Sequence, residues 1–255
     1  MVLKGKNEGV STPFDAPLWS LTSDETIEYR NCEVLCGVFE STRELEAILP
    51  EGLEFYSDPP QASYWLSYYS DSTVGSYYEY ISMIIVQDEE GDFGYYVPYI
   101  YVTNEAALAA GRELVGAPKK LAHLKIEREF DFLQGTMERP AGKRLITITF
   151  HPQSRAAPEV VAMYLPEKIN MYSVRHLPPI KGEGGVTQLI KWCSIIDIHK
   201  DPQDRETVWM GADTVTYDSP SNADPIHKLK VNEMIASLYM QFDMTLGVTK
   251  ILKEY

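Results

Sequence analysis

The sequence predicts a β-dominated α+β domain in which antiparallel strands curl into a barrel-like sheet with a few peripheral helices. Three observations lead there. Eleven of the 17 tyrosines, with Trp65, fall between Tyr56 and Tyr101, a stretch without helical spacing, and tyrosine favours strands. Apolar and polar residues alternate in runs beyond residue 120, and Leu145 to Phe150 (LITITF) is the clearest. Helical patterns are few and flank these runs.

In chain order, residues 1–20 carry Gly, Ser, Pro and Asp and read as an extended arm packed on the domain or on a neighbouring subunit. Ile27 to Phe39 has strand character. Ser41 to Leu49 has a helical pattern, opened by a Ser/Thr cap and closed at Pro50. Tyr56 to Tyr101 accommodates three or four antiparallel strands, with Asp88 to Asp92 (DEEGD) as a hairpin tip. Glu105 to Glu113 is a short helix, followed by strands over Leu121 to Phe132, Thr136 to Arg139 and Leu145 to Phe150. Thr187 to Ile198 and Thr207 to Val215 are further strands. Val231 to Glu254 is predicted helical from the spacing of Met234, Leu238, Phe242, Leu246 and Ile251. The 255 residues are read as one domain without repeats.

The formal charge of −14 argues against binding a nucleic-acid backbone or an anionic membrane surface. An acidic exterior can still surround a locally basic pocket. No apolar run approaches the roughly 20 residues that span a bilayer, and the N-terminus has no apolar leader segment. Cys32, Cys36 and Cys193 are odd in number without metal-like spacing, which reads as reduced thiols in a cytoplasmic protein. The five histidines are widely scattered, so no metal is expected, and the lysine chemistry described next calls for no cofactor.

Gly111 to His123, GRELVGAPKKLAH, concentrates the chemistry. Lys119 and Lys120 stand side by side after Pro118, and a like charge within a few ångströms disfavours protonation, as does burial. A neutral amine is a nucleophile toward a ketone. Adjacent strand residues point to opposite faces, so the two amines meet only if the Pro118 turn breaks the alternation.

Asn104-Glu105, Gly111-Arg112-Glu113-Leu114 and Pro118-Lys119-Lys120-Leu121 together resemble the signature segment of the acetoacetate decarboxylase family. Ser41 to Phe55, Pro178-Pro179, Val208 to Gly211, Asp224-Pro225 and Asp243 with Leu246 follow in the family's order, so the resemblance covers nearly the whole chain from about residue 12. That family is the recognised instance of a Schiff-base lysine activated by a cationic neighbour, and the resemblance implies the same chemistry here. The resemblance implies a cone-like antiparallel β-barrel enclosing the lysine, assembled into homo-oligomers. It makes Lys119 the nucleophile and Lys120 its neighbour, with a structural role for Lys120 as the alternative if the alternation holds. It also makes Glu79, in Gly75-Ser-Tyr-Tyr-Glu79, the acid-base residue, where desolvation among tyrosines suits a carboxylate to proton transfer. Arg112 and Glu113 are expected to orient the lysine turn through an ion pair or a helix-end contact. Tyr77, Tyr78 and Tyr80 are read first as packing, with one or two of them, Tyr77 foremost, lining the pocket and donating a hydroxyl to the substrate; His123 is read as a strand residue.

The chain departs from the decarboxylase pattern. An arginine expected on the first strand falls at Asn31 or Cys32, with Arg30 one or two positions away. A second glutamate falls at Tyr64 or Trp65, and the tyrosine preceding Pro-Lys-Lys is Ala117. The expected pocket therefore keeps its amine but recognises a keto acid larger and less polar than acetoacetate. The leading expectation is decarboxylation of a β-keto acid through a lysine imine. A pyruvate-type aldolase-dehydratase using the same imine and a non-catalytic small-molecule binder are the alternatives.

Overall fold

A computed structural model describes residues 11–13, 15–19, 26–247 and 249–255. The expected arm over residues 1–20 lies outside the described residues at 1–10, 14 and 20. Within the remainder, Trp19 is buried and its Nε1 donates to Glu113 Oε2 at 2.9 Å.

The first half of the chain contributes β1 (Glu28–Glu40), β2 (Leu53–Phe55), β3 (Gln61–Tyr69), β4 (Asp71–Ser72), β5 (Tyr77–Asp88) and β6 (Phe93–Val102). Helix α1 (Glu105–Ala110) and a π-helical turn (Gly111–Val115) lead into β7 (Lys119–Leu121), β8 (His123–Glu129), β9 (Phe132–Glu138) and β10 (Arg144–Arg155). Helix α2 (Pro158–Tyr164) precedes β11 (Lys168–Leu177), β12 (Val186–Ile198), β13 (Val208–Thr216), β14 (Glu233–Leu246) and β15 (Lys250–Glu254).

Strands β12, β11, β6, β5, β3, β1 and β14 close into a barrel, because β14 pairs with β1 along one edge and with β12 along the other. Every junction of that ring is antiparallel except β11 on β6. From β14 the sheet continues through β13, β10, β9 and β8, and this extension folds back over the outside of the barrel. Alternation along each barrel strand therefore feeds two apolar cores. Val34, Trp65, Ile81 and Phe242 point inward; Leu35, Leu66, Tyr80 and Ile148 lie in the second core outside the barrel wall. Among the described residues no helix is long and apolar enough to cross a membrane.

The predicted strands are found, with three corrections. Val231 to Glu254 is not helical: it forms β14 and β15. A spacing of four is even, so Leu238, Phe242 and Leu246 share a face of a strand as readily as of a helix. Met240 and Met244, which also join the inner core, fill the strand's alternation. Ile235 is an extra residue opposite Val38 and Phe39, a bulge that turns Met234 to the other core. Leu121 to Phe132 is broken into β7, β8 and a turn at Phe130, whose φ is +51°. The Ser41 to Leu49 segment is a 3₁₀ helix over Arg43–Ile48, and Thr42 makes no side-chain cap bond. Strand β11 and helix α2 have no counterpart in the sequence expectations.

Candidate active site

Two registers place the site. Strand β7 pairs in parallel with β6, setting Lys119 beside Ile100 and Lys120 beside Tyr101. Ile100 faces the barrel interior and Tyr101 the outer core, so the lysines diverge. In the second register β3 lies against β5, pairing Tyr69 with Tyr77, Ser67 with Glu79 and Trp65 with Ile81. Tyr77, Glu79, Ile81 and Met83 thereby share the inward face.

Lys119 Nζ donates to Glu79 Oε2 at 2.6 Å, and both side chains are buried. Tyr69 OH donates to the other carboxylate oxygen, Oε1, at 3.1 Å. Nζ also lies 5.6 Å from the centre of the Tyr77 ring. Tyr29 and Tyr77 complete an aromatic cluster with Tyr69, at centroid separations of 4.7 Å from Tyr69 to Tyr29 and 4.9 Å from Tyr69 to Tyr77. Burial first, and then the charge of Glu79, hold the hydroxyls of Tyr29, Tyr69 and Tyr77 above the usual phenol range, so all three remain protonated donors. The pair opens onto a cavity of about 60 Å³, several times the ~10–15 Å³ that one water occupies. Apart from the hydroxyls of Tyr29, Tyr69, Tyr77 and Ser194 its wall is apolar, with Trp65, Met83, Met171, Trp192 and Met244 prominent. An amine beside one carboxylate in such a setting has a partner for moving its proton and a surrounding that excludes bulk water.

The approach to Lys119 is tightly built. Helix α1 is capped by Asn104, whose Oδ1 accepts from the amides of Ala106 and Ala107. It widens into the π-helical turn, a form that recurs at functional sites. Gly116, with φ of +72°, ends that turn. A Cβ at Gly111 would lie 2.6 Å from Lys119 Cε and 2.8 Å from Cδ. Gly111→Ala is accordingly expected to displace the amine and to slow imine formation by about 10²-fold, the cost of roughly 1 Å of misplacement. Adduct formation at the wild-type rate would show that the displacement does not occur.

Of the sequence-predicted residues, Lys119, Glu79, Trp65, Tyr77 and Ala117 converge on the cavity. Arg112 braces the strand, with Nη1 donating to Lys119 O at 3.3 Å. Glu113 makes no ion pair with Arg112 among the described residues; it accepts from Trp19 through its side chain and from Arg175 through its backbone.

Three expectations need correction. Lys120 does not face Lys119: its Nζ is paired with buried Asp224 at 3.0 Å, which also accepts from Arg139 and Tyr101. The Pro118 turn leaves the strand alternation intact, so Lys120 cannot supply the like-charge effect. Lys120→Ala is expected to leave adduct formation at Lys119 within about threefold while losing roughly 1 kcal/mol, or ~2–4 °C in Tm, with its partly exposed ion pair. Kinetic trapping and a thermal melt on the same sample check both halves.

Tyr64 does not line the cavity. It faces the outer core and donates to Asp213 at 2.5 Å, because it is one residue out of phase with Trp65. Arg30 is also outside: its guanidinium is half exposed and bonded to Glu28. The cause is a bulge in β1. Tyr29 opposes Met244 and Cys32 opposes Phe242, so one extra residue turns both Arg30 and Asn31 outward, with Asn31 at φ +51°. Asp243 Oδ1 accepts the Asn31 amide at 2.8 Å and holds the bulge.

Tyr29, Tyr69, Trp192 and Ser194 belong to the cavity but not to the sequence-predicted set. For Tyr69 the signal was parity, since it stands four residues from Trp65 on the same strand. Elsewhere, Asp88, Glu90 and Asp92 bring carboxylate oxygens within 4.8 Å of one another. Asp88 and Asp92 both accept from Lys191, and Asp88 Oδ1 caps the amides of Glu90 and Asp92, so this cluster closes its own hairpin.

Comparison with known proteins is consistent with this geometry. A family model described as acetoacetate decarboxylase matches residues 11–255. Acetoacetate decarboxylase 3 of Mesorhizobium japonicum is 28% identical over 225 residues, covering 88% of this chain and 83% of that protein. The acetoacetate decarboxylase of Clostridium botulinum is 26% identical over 252 residues, covering 96% and 95%. A solved acetoacetate decarboxylase structure superposes with a TM-score of 0.85 at 25% identity, over 97% of this chain and 96% of the other.

Proposed function

The chain belongs to the acetoacetate decarboxylase family, and from that premise we propose that it is a lyase in which Lys119 forms a Schiff base with a β-keto acid and releases carbon dioxide. The observation that carries this reading is the buried 2.6 Å contact between Lys119 Nζ and Glu79 Oε2 at the wall of an apolar cavity. Glu79 takes the proton that leaves Nζ free to attack the ketone carbon, and proton return lets the carbinolamine lose water. In the protonated imine, the electrons of the bond to the carboxylate flow to the α-carbon and onto nitrogen. Carbon dioxide departs, the enamine takes a proton at carbon, and water hydrolyses the imine to a ketone and free Lys119.

The substrate is larger and less polar than acetoacetate. What supports this is the aromatic and methionine wall, together with the outward position of Arg30 and the presence of Trp65 where a second glutamate is expected. The keto acid is a small-molecule substrate, and no cofactor enters the scheme. Borohydride trapping with intact-mass measurement, run beside carbon dioxide release on a series of keto acids, tests the proposal. An adduct with gas evolution that strengthens with chain length is expected. Absence of an adduct on every keto acid would overturn it, and an adduct without carbon dioxide would favour aldol-type chemistry on the same lysine.

A further inference from the structure

The cavity holds one amine and one carboxylate, and these are paired to each other. Among the described residues that line it no second cation is present to meet the anionic end of a keto acid. An ionised carboxylate left without donors in such a wall is costly, so recognition has to come from neutral polar groups. The first strand supplies one. The bulge that turns Arg30 and Asn31 outward leaves Tyr29 as a β1 residue facing the cavity, and it is 3% exposed.

Its hydrogen bonding is incomplete. The Tyr69 proton is used on Glu79 Oε1. The Tyr77 hydroxyl donates to the Tyr29 oxygen at 3.3 Å. The proton of Tyr29 itself has no acceptor among the described residues, although a phenol has one to give. A protonated donor without an acceptor is thus built into the wall of the candidate active site.

We propose that the Tyr29 hydroxyl, held in place by Tyr77, binds the anionic end of the keto acid while its ketone carbon is bonded to Lys119, a role that rests on the Schiff-base reading above. Tyr29, Tyr77 and Lys119 line the same cavity, with the Tyr77 ring centre 5.6 Å from Nζ. A neutral donor also suits the reaction. A guanidinium would stabilise the substrate carboxylate strongly and would lose that stabilisation as carbon dioxide leaves; a phenol orients the carboxylate with less to surrender in the transition state. Burial keeps Tyr29 protonated and therefore able to donate.

Two stable probes that differ only in the anionic group test the assignment: 2-oxohexane-1-sulfonate, which cannot lose carbon dioxide, and 2-hexanone. Borohydride trapping at varied probe concentration is read by intact mass in wild type, Tyr29→Phe and Tyr77→Phe. Tyr29→Phe is expected to raise the half-trapping concentration of the sulfonate by roughly tenfold or more, the loss of one hydrogen bond to a charged group, and to leave 2-hexanone within about twofold. Tyr77→Phe is expected to shift the sulfonate in the same direction by less, because the Tyr29 proton remains. Equal weakening of both probes, or an unchanged sulfonate, would overturn the role of Tyr29 while leaving the lysine chemistry in place. Failure of wild type to trap either probe would remove the Schiff-base reading and Tyr29's role with it.

Discussion

Lys119→Ala is expected to abolish borohydride-trapped adduct and to lower turnover of any substrate by about 10⁴-fold or more, the scale on which loss of a nucleophile acts elsewhere. The size of the effect follows from the barrel interior. Among the described residues no other amine lines the cavity, and Lys120 is committed to Asp224 on the opposite side of the wall. The variant also leaves Glu79 buried without its 2.6 Å partner, so a drop in stability of about 3–5 kcal/mol is expected unless the carboxyl takes up a proton. A melt at two pH values separates these contributions, since protonation at the lower pH restores stability and cannot restore chemistry. An adduct that persists on Lys119→Ala would rule out the proposed nucleophile.

Glu79→Gln is expected to reduce kcat by 10²- to 10⁴-fold, the range for one general acid-base group, while the trapped adduct still reaches full yield on longer incubation. Glutamine keeps the volume and can still accept from Tyr69, so the cavity shape is preserved. It cannot accept a proton from Nζ or return one. Rapid-quench measurement of imine formation against steady-state turnover is the check. If both rates stay within threefold of wild type, Glu79 serves only as a counter-ion.

The barrel was largely legible because its strands carry dense aromatic and β-branched runs without helical spacing, apolar on both faces. Lys119 and Glu79 were legible from their flanking residues. The errors concern phase. Tyr64 and Trp65 are both plausible cavity residues until β3 is registered against Glu79, after which parity admits Trp65 and excludes Tyr64. Lys120 shares that logic through Ile100 and Tyr101. Arg30 and Tyr29 exchange places because of a single inserted residue, whose backbone turn at Asn31 leaves no periodic trace. The spacing of four in β14 is compatible with both helix and strand, and only its intervening methionines and polar residues distinguish them.

The closure of β14 on β1 joins residues about 200 positions apart, as in the pairing of Glu28 with Thr245. Contacts of such sequence separation carry a high loop-closure cost, and they cannot form until β14 itself has been synthesised. Met244 and Leu246 of that last long strand are part of the wall around Lys119. Before β14 pairs, the cavity around Lys119 therefore lacks part of its wall. The wall around Lys119 is complete only when β14 seals the ring, so under the proposed function closure of the barrel is a precondition of reactivity.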